Sequence, residues 1–310
     1  MDLSIIVPCH NEEKNIELLM NECEKTFANS NIKIEYIFVN DGSKDNTFEE
    51  IKKLLVRKDR VIGIDFSRNF GKESAIYAGL EKSSGKYVAL IDADLQQHPK
   101  YVLSMYNFIV KNSNYDCVCC YQEKRKENTV ISFLKKLFYK VINKTSDIEF
   151  YDNASDFRLF SRKMTDSLLQ LKEYYRFSKG FFSWCGFETY YIPYEVEERK
   201  YGKSSWSFFS LIKYAIDGII GFSVSPLKIA TYTGMISFML SIIYLIIILI
   251  QKITIGIEIS GYATIVCLIL LFGGIQMIFI GIIGEYLGRV YIETKRRPIY
   301  LVKEVKTNAK

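Results

Sequence analysis

The sequence lacks both glycine-rich motifs that commonly hold nucleotide phosphates. It has no Gly-x-x-x-x-Gly-Lys-Ser/Thr segment and no Gly-x-Gly-x-x-Gly after the first predicted strand, which disfavours a P-loop ATPase and a nicotinamide-dependent dehydrogenase. The seven cysteines are scattered, without the paired spacing of a zinc site, and a reducing compartment accounts for them most simply. No basic segment followed by a long apolar stretch stands at the start of the chain, so we predict no secretory signal.

Two long segments near the C-terminus lack charged residues altogether. Residues 229–251 and 259–284 contain no Asp, Glu, Lys or Arg, and each is long enough to cross a hydrocarbon core of about 30 Å. A buried helix of that length would be unusual in a soluble protein. We therefore predict a hairpin, residues 226–290, with membrane helices at about 229–251 and 261–284.

Positive charge is concentrated at the open end of this hairpin, whereas its loop holds only Lys252. The positive-inside rule then predicts a multi-pass protein of the plasma membrane with both termini in the cytoplasm. A soluble cytoplasmic domain of residues 1–225 would precede the hairpin, and a basic tail of residues 291–310 would follow it. The flanking basic residues are Lys213, Lys228, Arg289, Lys295, Arg296 and Arg297. The net charge of +6 comes with no recognised nucleic-acid-binding motif, so we expect a membrane surface as partner and no nucleic acid.

The N-terminal part of the chain alternates between strand-like and helix-like patterns. Residues 4–8, 34–39, 61–66 and 88–91 have the apolar character of buried strands, and helical patterns separate them. This alternation predicts an α/β domain with a mostly parallel, Rossmann-like sheet, which binds ligands beyond the carboxyl ends of its strands. Polar residues follow all four strands and should converge at one edge of the sheet. They are His10, Asn11, Glu12, Asp41, Asp45, Asn69, Lys72, Asp92 and Asp94.

These polar residues fit a bound nucleotide. Asp41 can accept from a base N–H or a ribose hydroxyl, and Lys72 can meet a phosphate. The alternative for each is ordinary capping, since Asn and Asp at strand-to-helix turns are good helix starters. That alternative applies most to Asp45, which would then fix its own turn.

An Asp-x-Asp pair ends the fourth predicted strand. Asp92 and Asp94 are two residues apart, so an extended backbone would place both carboxylates on one side, with Gln96 continuing the row. Carboxylate and amide oxygens suit Mg²⁺ or Mn²⁺. The alternative is an ordinary turn in which Asp makes local hydrogen bonds. The convergence of four polar strand ends favours the metal site.

The motifs at the strand ends are Pro8 with Asn11-Glu12, Asn40-Asp41-Gly42-Ser43 with Asp45 and Thr47, Arg68-Asn69-Phe70-Gly71-Lys72, and Asp92-Ala93-Asp94-Leu95-Gln96. Further motifs are Ser155-Asp156-Phe157-Arg158-Leu159, Arg176-Phe177 with Gly180 and Trp184, Arg199 with Gly202-Lys203-Ser204, and Gly281 to Arg289 before Arg297-Pro298-Ile299-Tyr300. Together they resemble the polyprenyl-phosphate glycosyltransferases of glycosyltransferase family 2, which have the GT-A fold. The resemblance covers nearly the whole chain, including a two-span C-terminal hairpin.

This resemblance implies an inverting transfer of one sugar from a nucleotide donor to polyprenyl (undecaprenyl) phosphate, giving a lipid-linked sugar for cell-envelope glycan modification. UDP-glucose is the expected donor, with UDP-N-acetylglucosamine and UDP-galactose as alternatives. Mg²⁺ or Mn²⁺, held by Asp92, Asp94 and Gln96, would stabilise the leaving diphosphate. Asp156 matches the family's catalytic Asp and would orient the acceptor or accept a proton, with Asp94 as the second catalytic residue. An ion pair of Asp156 with Arg158, or a structural cap, is the alternative.

The resemblance also implies two sets of binding residues. The nucleotide set is Pro8, His10, Asn11, Glu12, Asp41, Asn69, Lys72 and Asp92. The set for the lipid phosphate or pyrophosphate is Arg125, Arg158, Arg176, Arg199 and Lys203, because guanidinium groups grip phosphate oxygens in bidentate fashion. Two basic amphipathic segments, about 129–144 and 205–222, would lie on the membrane surface. For the first, a core-packing helix with a solvated lysine face is the alternative.

Three positions depart from the family's pattern, namely His10 in place of Tyr, Gln97-His98 in place of Asp-Pro, and Ser205 in place of Lys. A processive polysaccharide synthase is a rival interpretation, but the chain has no Gln-x-x-Arg-Trp motif and too few predicted spans for a channel. A non-catalytic membrane scaffold is a second rival. A homo-oligomer packed through the hairpin glycines Gly273, Gly274, Gly281 and Gly284 is left open.

Overall fold

A mixed sheet organises the soluble part of this computed structural model, which describes residues 1–57, 60–122, 142–143, 146, 151, 154–197, 216, 218–254 and 261–308. The strands are β1 (Leu3–Cys9), β2 (Ile34–Asn40), β3 (Val61–Phe66), β4 (Tyr87–Leu90), β5 (Cys117–Gln122), β6 (Ala154–Ser161), β7 (Thr189–Tyr194) and β8 (Val302–Thr307). The helices are α1 (Ile16–Phe27), α2 (Thr47–Arg57), α3 (Lys72–Lys82), α4 (Lys100–Lys111), α5 (Arg162–Gln170), α6 (Ser178–Trp184), α7 (Ser225–Thr254) and α8 (Tyr262–Thr294).

The strand order is β7-β5-β6-β4-β1-β2-β3-β8. The four predicted strands form the parallel centre, with β1 between β2 and β4 and with β3 beyond β2. Helices α1, α2 and α3 link strands of this centre, as parallel connections require. The strand β6 runs antiparallel to β4 and β5, and β8 runs antiparallel to β3. The predicted parallel α/β core is therefore confirmed, and the opposed strands lie outside it.

Helices cover both faces of the sheet because its central strands are apolar on both sides. In β1, Leu3 and Val7 pack into one core with α1, α2 and α4, whereas Ile6 packs into a second core with α3, α5 and α6. A Cβ atom added at Gly79 of α3 would lie 2.3 Å from Ile6 Cγ2. Glycine at this position therefore lets α3 lie directly on β1. The cluster Cys117, Cys119 and Cys120 is buried within β5.

The chain leaves the sheet for the hairpin and then returns to it. Two segments, Ser225–Tyr244 in α7 and Leu271–Thr294 in α8, are long and apolar enough to cross a membrane, and many of their large apolar side chains are exposed. After α8, Tyr300 stacks on Phe66 with ring centroids 4.7 Å apart, and β8 pairs with β3. The predicted basic tail thus contributes an edge strand to the soluble sheet.

The two predicted amphipathic segments fall mostly outside the described residues. Residues 218–222, at the end of the second segment, are helical. Both membrane-surface assignments stay predictions.

Candidate active site

A lysine and two carboxylates meet at the carboxyl edge of the parallel strands. Lys72 begins α3, Asp92 follows β4, and Asp156 lies in β6. Lys72 Nζ is 2.6 Å from Asp92 Oδ1 and 3.6 Å from Asp156 Oδ2. Residues from three separate elements are thereby brought into one charged cluster, which we call the Lys72 cluster.

Electrostatic interactions favour the charged forms of Lys72 and Asp156. Burial disfavours the Lys72 ammonium group, but Asp92 and Asp156 outweigh burial and raise its pKa. Burial likewise disfavours the Asp156 carboxylate, yet the positive charges of Lys72, Lys179 and Arg158 lower its pKa. The ammonium group of Lys72 and the carboxylate of Asp156 therefore stabilise each other's charge.

Asp156 has an oxygen available for a ligand. Among the side chains that the structure describes, its Oδ1 atom is buried and has no hydrogen-bond partner. Buried carboxylate oxygens are nearly always paired, so an unpaired one marks a place where a donor or cation is missing. The catalytic role of Asp156 stays a prediction.

Gln97, at one of the three departures from the family pattern, holds Asp92 in place. The Asp92 backbone N–H donates to Gln97 Oε1 at 2.9 Å, and Gln97 Nε2 donates to Asp92 Oδ2 at 3.0 Å. The two carboxylate oxygens of Asp92 thus have different partners, Gln97 on one side and Lys72 on the other. Where the family commonly has Asp-Pro, Gln97 thus forms two hydrogen bonds with Asp92, one as acceptor and one as donor.

The backbone after Asp92 turns rather than continuing as a strand. Leu95 has a φ angle of 61°, and the Gln96 backbone N–H donates to Asp94 Oδ1 at 3.1 Å. The extended row of Asp92, Asp94 and Gln96, which the spacing suggested, is therefore not formed. Asp94 is only 6% exposed, so its carboxylate is held within the turn.

The donor chemistry at this turn still fits a hard divalent cation. Mg²⁺ is usually held by one or two carboxylates together with waters and substrate phosphates. Asp92 and Asp94 supply two such carboxylates, and Asp156 Oδ1 supplies an unpaired oxygen in the same cluster as Asp92. The described residues contain no group of three His, Cys, Asp or Glu side chains arranged as a complete metal site. Metal binding by Asp92, Asp94 and Gln96 stays a prediction.

Asp41 fixes the loop that leads into α3. Its carboxylate oxygens accept hydrogen bonds from the backbone N–H groups of Phe70 at 2.6 Å and Gly71 at 2.9 Å. Burial raises the pKa of Asp41, and these two N–H groups oppose that shift. Gly42, with a φ angle of 59°, allows the approach, because a Cβ there would lie 2.3 Å from the Arg68 carbonyl carbon. Asp41 therefore positions Lys72 through the loop before it.

Several predicted nucleotide-binding residues meet beside this loop. His10 Nδ1 is 2.8 Å from the Asp41 carbonyl oxygen and 3.2 Å from Asn69 Nδ2. Asn11 Oδ1 accepts from the Lys44 backbone N–H at 2.9 Å, and its own N–H donates to Ser43 Oγ. The residues converge as predicted, through contacts with one another.

The side chains of Glu12 and Asp45 are hydrogen-bonded to neighbouring residues of the protein. Asn15 Nδ2 donates to Glu12 Oε2 at 2.5 Å. Asp45 Oδ1 accepts from the Thr47 backbone N–H at 3.1 Å and from its hydroxyl at 2.5 Å, and Asp45 Oδ2 accepts from the Glu13 N–H. For Asp45, the contacts are those of the capping alternative.

With this geometry established, comparison with known proteins identifies the family. Residues 4–169 match the family described as glycosyl transferase family 2. The chain is a family-2 glycosyltransferase. Residues 225–290 match the GtrB C-terminal hairpin, which corresponds to α7, α8 and their connection. The prediction of a GT-A-like domain followed by a two-helix hairpin, in a glycosyltransferase, is thereby confirmed.

Full-length relatives support the assignment. The glycosyltransferase is 45% identical to CsbB of Bacillus subtilis over 97% of this chain and 91% of that one. It is 38% identical to the prophage bactoprenol glucosyl transferase homolog of Escherichia coli over 99% of this chain and 100% of the relative. It is 37% identical to the bactoprenol glucosyl transferase of Shigella phage SfX, with the same coverage.

A more distant likeness is found among solved structures. Glucosyl-3-phosphoglycerate synthase from Mycobacterium tuberculosis, solved with Mn²⁺ and UDP-glucose, is 15% identical with a TM-score of 0.46 over 71% of this chain and 77% of that chain. A likeness of this size carries no argument about ligands.

The predicted phosphate-binding arginines of the glycosyltransferase occupy two different places. Arg158 is 5% exposed, donates from Nε and Nη2 to the Ser155 carbonyl oxygen at 3.1 and 2.8 Å, and lies over the Phe182 ring. Arg176 donates to the Leu171 carbonyl oxygen at 2.6 Å and lines a separate cavity. Arg125, Arg199 and Lys203 lie outside the described residues. Phosphate binding by all five stays a prediction.

Sequence reasoning missed one acidic residue of the glycosyltransferase that lies next to Lys72. Glu73 Oε2 accepts from the Ser178 backbone N–H at 3.0 Å and from the Ser178 hydroxyl, which ties the start of α3 to the start of α6. Burial raises the pKa of Glu73, and these hydrogen bonds oppose that shift. An acidic residue in the first turn of a helix was the available signal, but its partner is more than a hundred residues away.

Proposed function

We propose that this glycosyltransferase transfers one sugar from a nucleoside-diphosphate donor to the phosphate of a polyprenyl lipid, giving a lipid-linked sugar. The observation that carries the proposal is the Lys72 cluster, in which Lys72 joins Asp92 and Asp156 while one oxygen of Asp156 stays unpaired. Two relatives that match over their full length are named as bactoprenol glucosyl transferases. Their names support a polyprenyl acceptor and glucose as the sugar, and we propose UDP-glucose as the donor.

The reaction forms a bond from an acceptor phosphate oxygen to the sugar's anomeric carbon and breaks the bond from that carbon to the nucleoside diphosphate. Attack from the face opposite the leaving group inverts the anomeric configuration. A polyprenyl phosphate is already an anion at neutral pH, so strong general-base catalysis is unnecessary. Asp156 instead orients the acceptor, and the Lys72 ammonium group, placed between two carboxylates, attracts phosphate oxygens.

Mg²⁺ or Mn²⁺, when bound, neutralises charge that develops on the leaving diphosphate. Asp92 and Asp94 would hold the ion, with Gln96 near them in the turn. Gln97 and Lys72 keep Asp92 oriented. Asp41 keeps the loop before Lys72 in position for the donor.

We also propose a multi-pass topology with the catalytic domain and both termini in the cytoplasm. The hairpin match and the two apolar helices support membrane association, and the basic flanks support this orientation. The acceptor lipid then reaches the site from the cytoplasmic leaflet.

The test is a transfer assay in membranes that contain the full-length protein, with Mg²⁺, polyprenyl phosphate and a panel of labelled UDP-sugars. We expect organic-extractable label with one donor, UDP-glucose, and none after Asp94→Asn. The matched control is Asp166→Asn, which removes a carboxylate that is exposed on α5 and should keep full activity. Absence of extractable label with every donor would contradict the proposal, and label in a polymer would favour the processive synthase.

A further inference from the structure

A cavity of about 440 Å³ lies where the soluble domain meets both ends of the hairpin. Its walls include the segment before α6, the first turn of α7 and the cytoplasmic-side end of α8 in the proposed topology. Neither Lys72 nor Asp92, Asp94 or Asp156 lines it. We call it the hairpin cavity.

Three of the four charged side chains that line the described part of the hairpin cavity are basic, and one of them, Arg289, also lies 3.7 Å from Glu285 Oε1 on the same helix. Arg176, Lys228 and Arg289 line it, and Glu173 is the only acidic residue among the lining residues that the structure describes. The Nε atom of Arg176 is buried without a hydrogen-bond partner in the described structure. Cationic side chains held together in a partly enclosed space favour an anion that can receive their hydrogen bonds.

Aromatic side chains form a large part of the remaining lining. Phe177, Phe181 and Phe222 are among them, and Trp184 is 58% exposed at the cavity. Such a mixture of cations and apolar surface suits a ligand with a charged head and an apolar chain. The hairpin cavity lies beside the first turns of α7, a helix that is apolar enough to enter a membrane.

Specific contacts fix the walls of the hairpin cavity. Phe222 packs so closely on α6 that a Cβ added at Gly180 would lie 2.2 Å from Phe222 Cε2. The Tyr286 hydroxyl of α8 donates to the Ser223 carbonyl oxygen at 2.6 Å. Glu293 Oε1 accepts from the Tyr174 backbone N–H at 2.8 Å. The cavity is therefore a built feature of the junction between the domain and the hairpin.

We infer that the hairpin cavity binds the phosphate group of an anionic membrane lipid through Arg176, Lys228 and Arg289. The lipid's apolar chain passes Trp184 and follows the hairpin into the bilayer. This inference rests on membrane association of the hairpin and not on the transfer reaction. The shared chemistry is a lipid phosphate, which either a phospholipid or the polyprenyl phosphate acceptor supplies.

Tryptophan fluorescence offers a direct test, because the chain has only two tryptophans. In full-length protein carrying Trp206→Phe, Trp184 is the remaining reporter. Brominated phosphatidylglycerol, titrated into the protein in a neutral detergent, should quench Trp184 saturably. Brominated phosphatidylcholine, which has the same chains but no net charge, should bind at least about tenfold more weakly.

Charge variants identify the binding residues. Lys228→Gln and Arg289→Gln should each weaken binding of phosphatidylglycerol by about tenfold, as expected for loss of one charge-assisted hydrogen bond. Arg297→Gln is the matched control, because it removes the same charge from an exposed position just after α8 and should leave the affinity unchanged. Equal affinities for all three variants, or equal quenching by the two lipids, would overturn the inference.

Competition separates the sources of the phosphate. Unlabelled polyprenyl phosphate that displaces the brominated lipid at lower concentration than phosphatidylglycerol identifies the acceptor as the preferred occupant, and the reverse order identifies a phospholipid. Displacement by inorganic phosphate as effectively as by either lipid would contradict a lipid site. Displacement by UDP would place the cavity in the donor site and contradict the inference. These measurements need no turnover, so their outcome is independent of the transfer assay.

Discussion

The Lys72 cluster and the hairpin cavity differ in the balance of their charged side chains. In the cluster, one ammonium group lies between two carboxylates of the same chain, so most of its charge is balanced internally. In the cavity, three basic side chains and one acidic side chain are among the described lining residues, and Arg289 Nη2 also lies 3.7 Å from Glu285 Oε1 on the same helix. A ligand of the cluster has to exchange with existing ion pairs, whereas the cavity, as we infer, receives an anionic group beside its basic side chains.

We expect the largest effect from a substitution in the Lys72 cluster. Asp156→Asn keeps the shape of the side chain but removes the charge that orients the acceptor, and we expect the rate of sugar transfer to fall by about 10²- to 10⁴-fold. Labelled transfer in membranes measures the rate. Binding of phosphatidylglycerol in the hairpin cavity should be unchanged, and a parallel loss of lipid binding would show that the two sites are not separate.

A steric change should act on the cavity. Gly180→Ala places a methyl group against the Phe222 ring, and overpacking of this kind typically costs about 1–3 kcal/mol. Thermal unfolding should show that loss, and quenching of Trp184 by phosphatidylglycerol should weaken. Gly234→Ala in α7 is the control, because nothing lies within 4 Å of an added Cβ there and Gly234 does not line the cavity. Equal effects of the two substitutions would refute the account of the cavity wall.

Removing the positive charge of Lys72 tests whether the two carboxylates of the cluster can bind a metal ion. Lys72→Met leaves Asp92 and Asp156 without their shared partner, and because the Lys72 side chain is 42% exposed we expect a loss of only about 1–2 kcal/mol. Mg²⁺ should then raise the unfolding temperature more in the variant than in the parent protein, since it no longer competes with Lys72 for Asp92. An equal response of the two proteins to Mg²⁺ would argue against ion binding at Asp92.

We expect the smallest effect from a substitution in the segment between α8 and β8, where the chain returns to the sheet. Tyr300→Phe keeps the stacking on Phe66 but removes the hydrogen bond from the Tyr300 hydroxyl to Glu81, so we expect a stability loss of about 0.5–1.5 kcal/mol. Transfer activity and lipid binding should both stay near the parent level. A large change in either would mean that β8 positions one of the sites.

Local patterns in the sequence were sufficient to predict the sheet's parallel core and the convergence of polar strand ends. Each such feature depends on residues that are close in sequence, such as Asp92 after the apolar run of β4. The hairpin was equally predictable, because two long uncharged segments are visible directly in the sequence. The family motifs then predicted a catalytic role for Asp156, which the periodicity of the sequence does not contain.

Features that depend on tertiary packing were not predictable in the same way. The positive φ angle of Leu95 ended the expected row at Gln96, and nothing in the spacing signals it. The strand β8 has Val302 and Val305 three residues apart among charged residues, without the alternation typical of a strand. It becomes a strand only when the chain returns and pairs with β3. The hairpin cavity joins residues that are far apart in sequence, so only the folded chain shows it.

The hairpin is held to the soluble domain at both of its ends. Before α7, Ser223 is bonded to Tyr286, and after α8 the chain is paired with the edge of the sheet through β8. A domain attached by one flexible linker would sample many heights and tilts above a bilayer. Two attachments would restrict both the height and the tilt of the domain. With the hairpin in a bilayer, the protein itself would then set the distance from the lipid surface to Asp156.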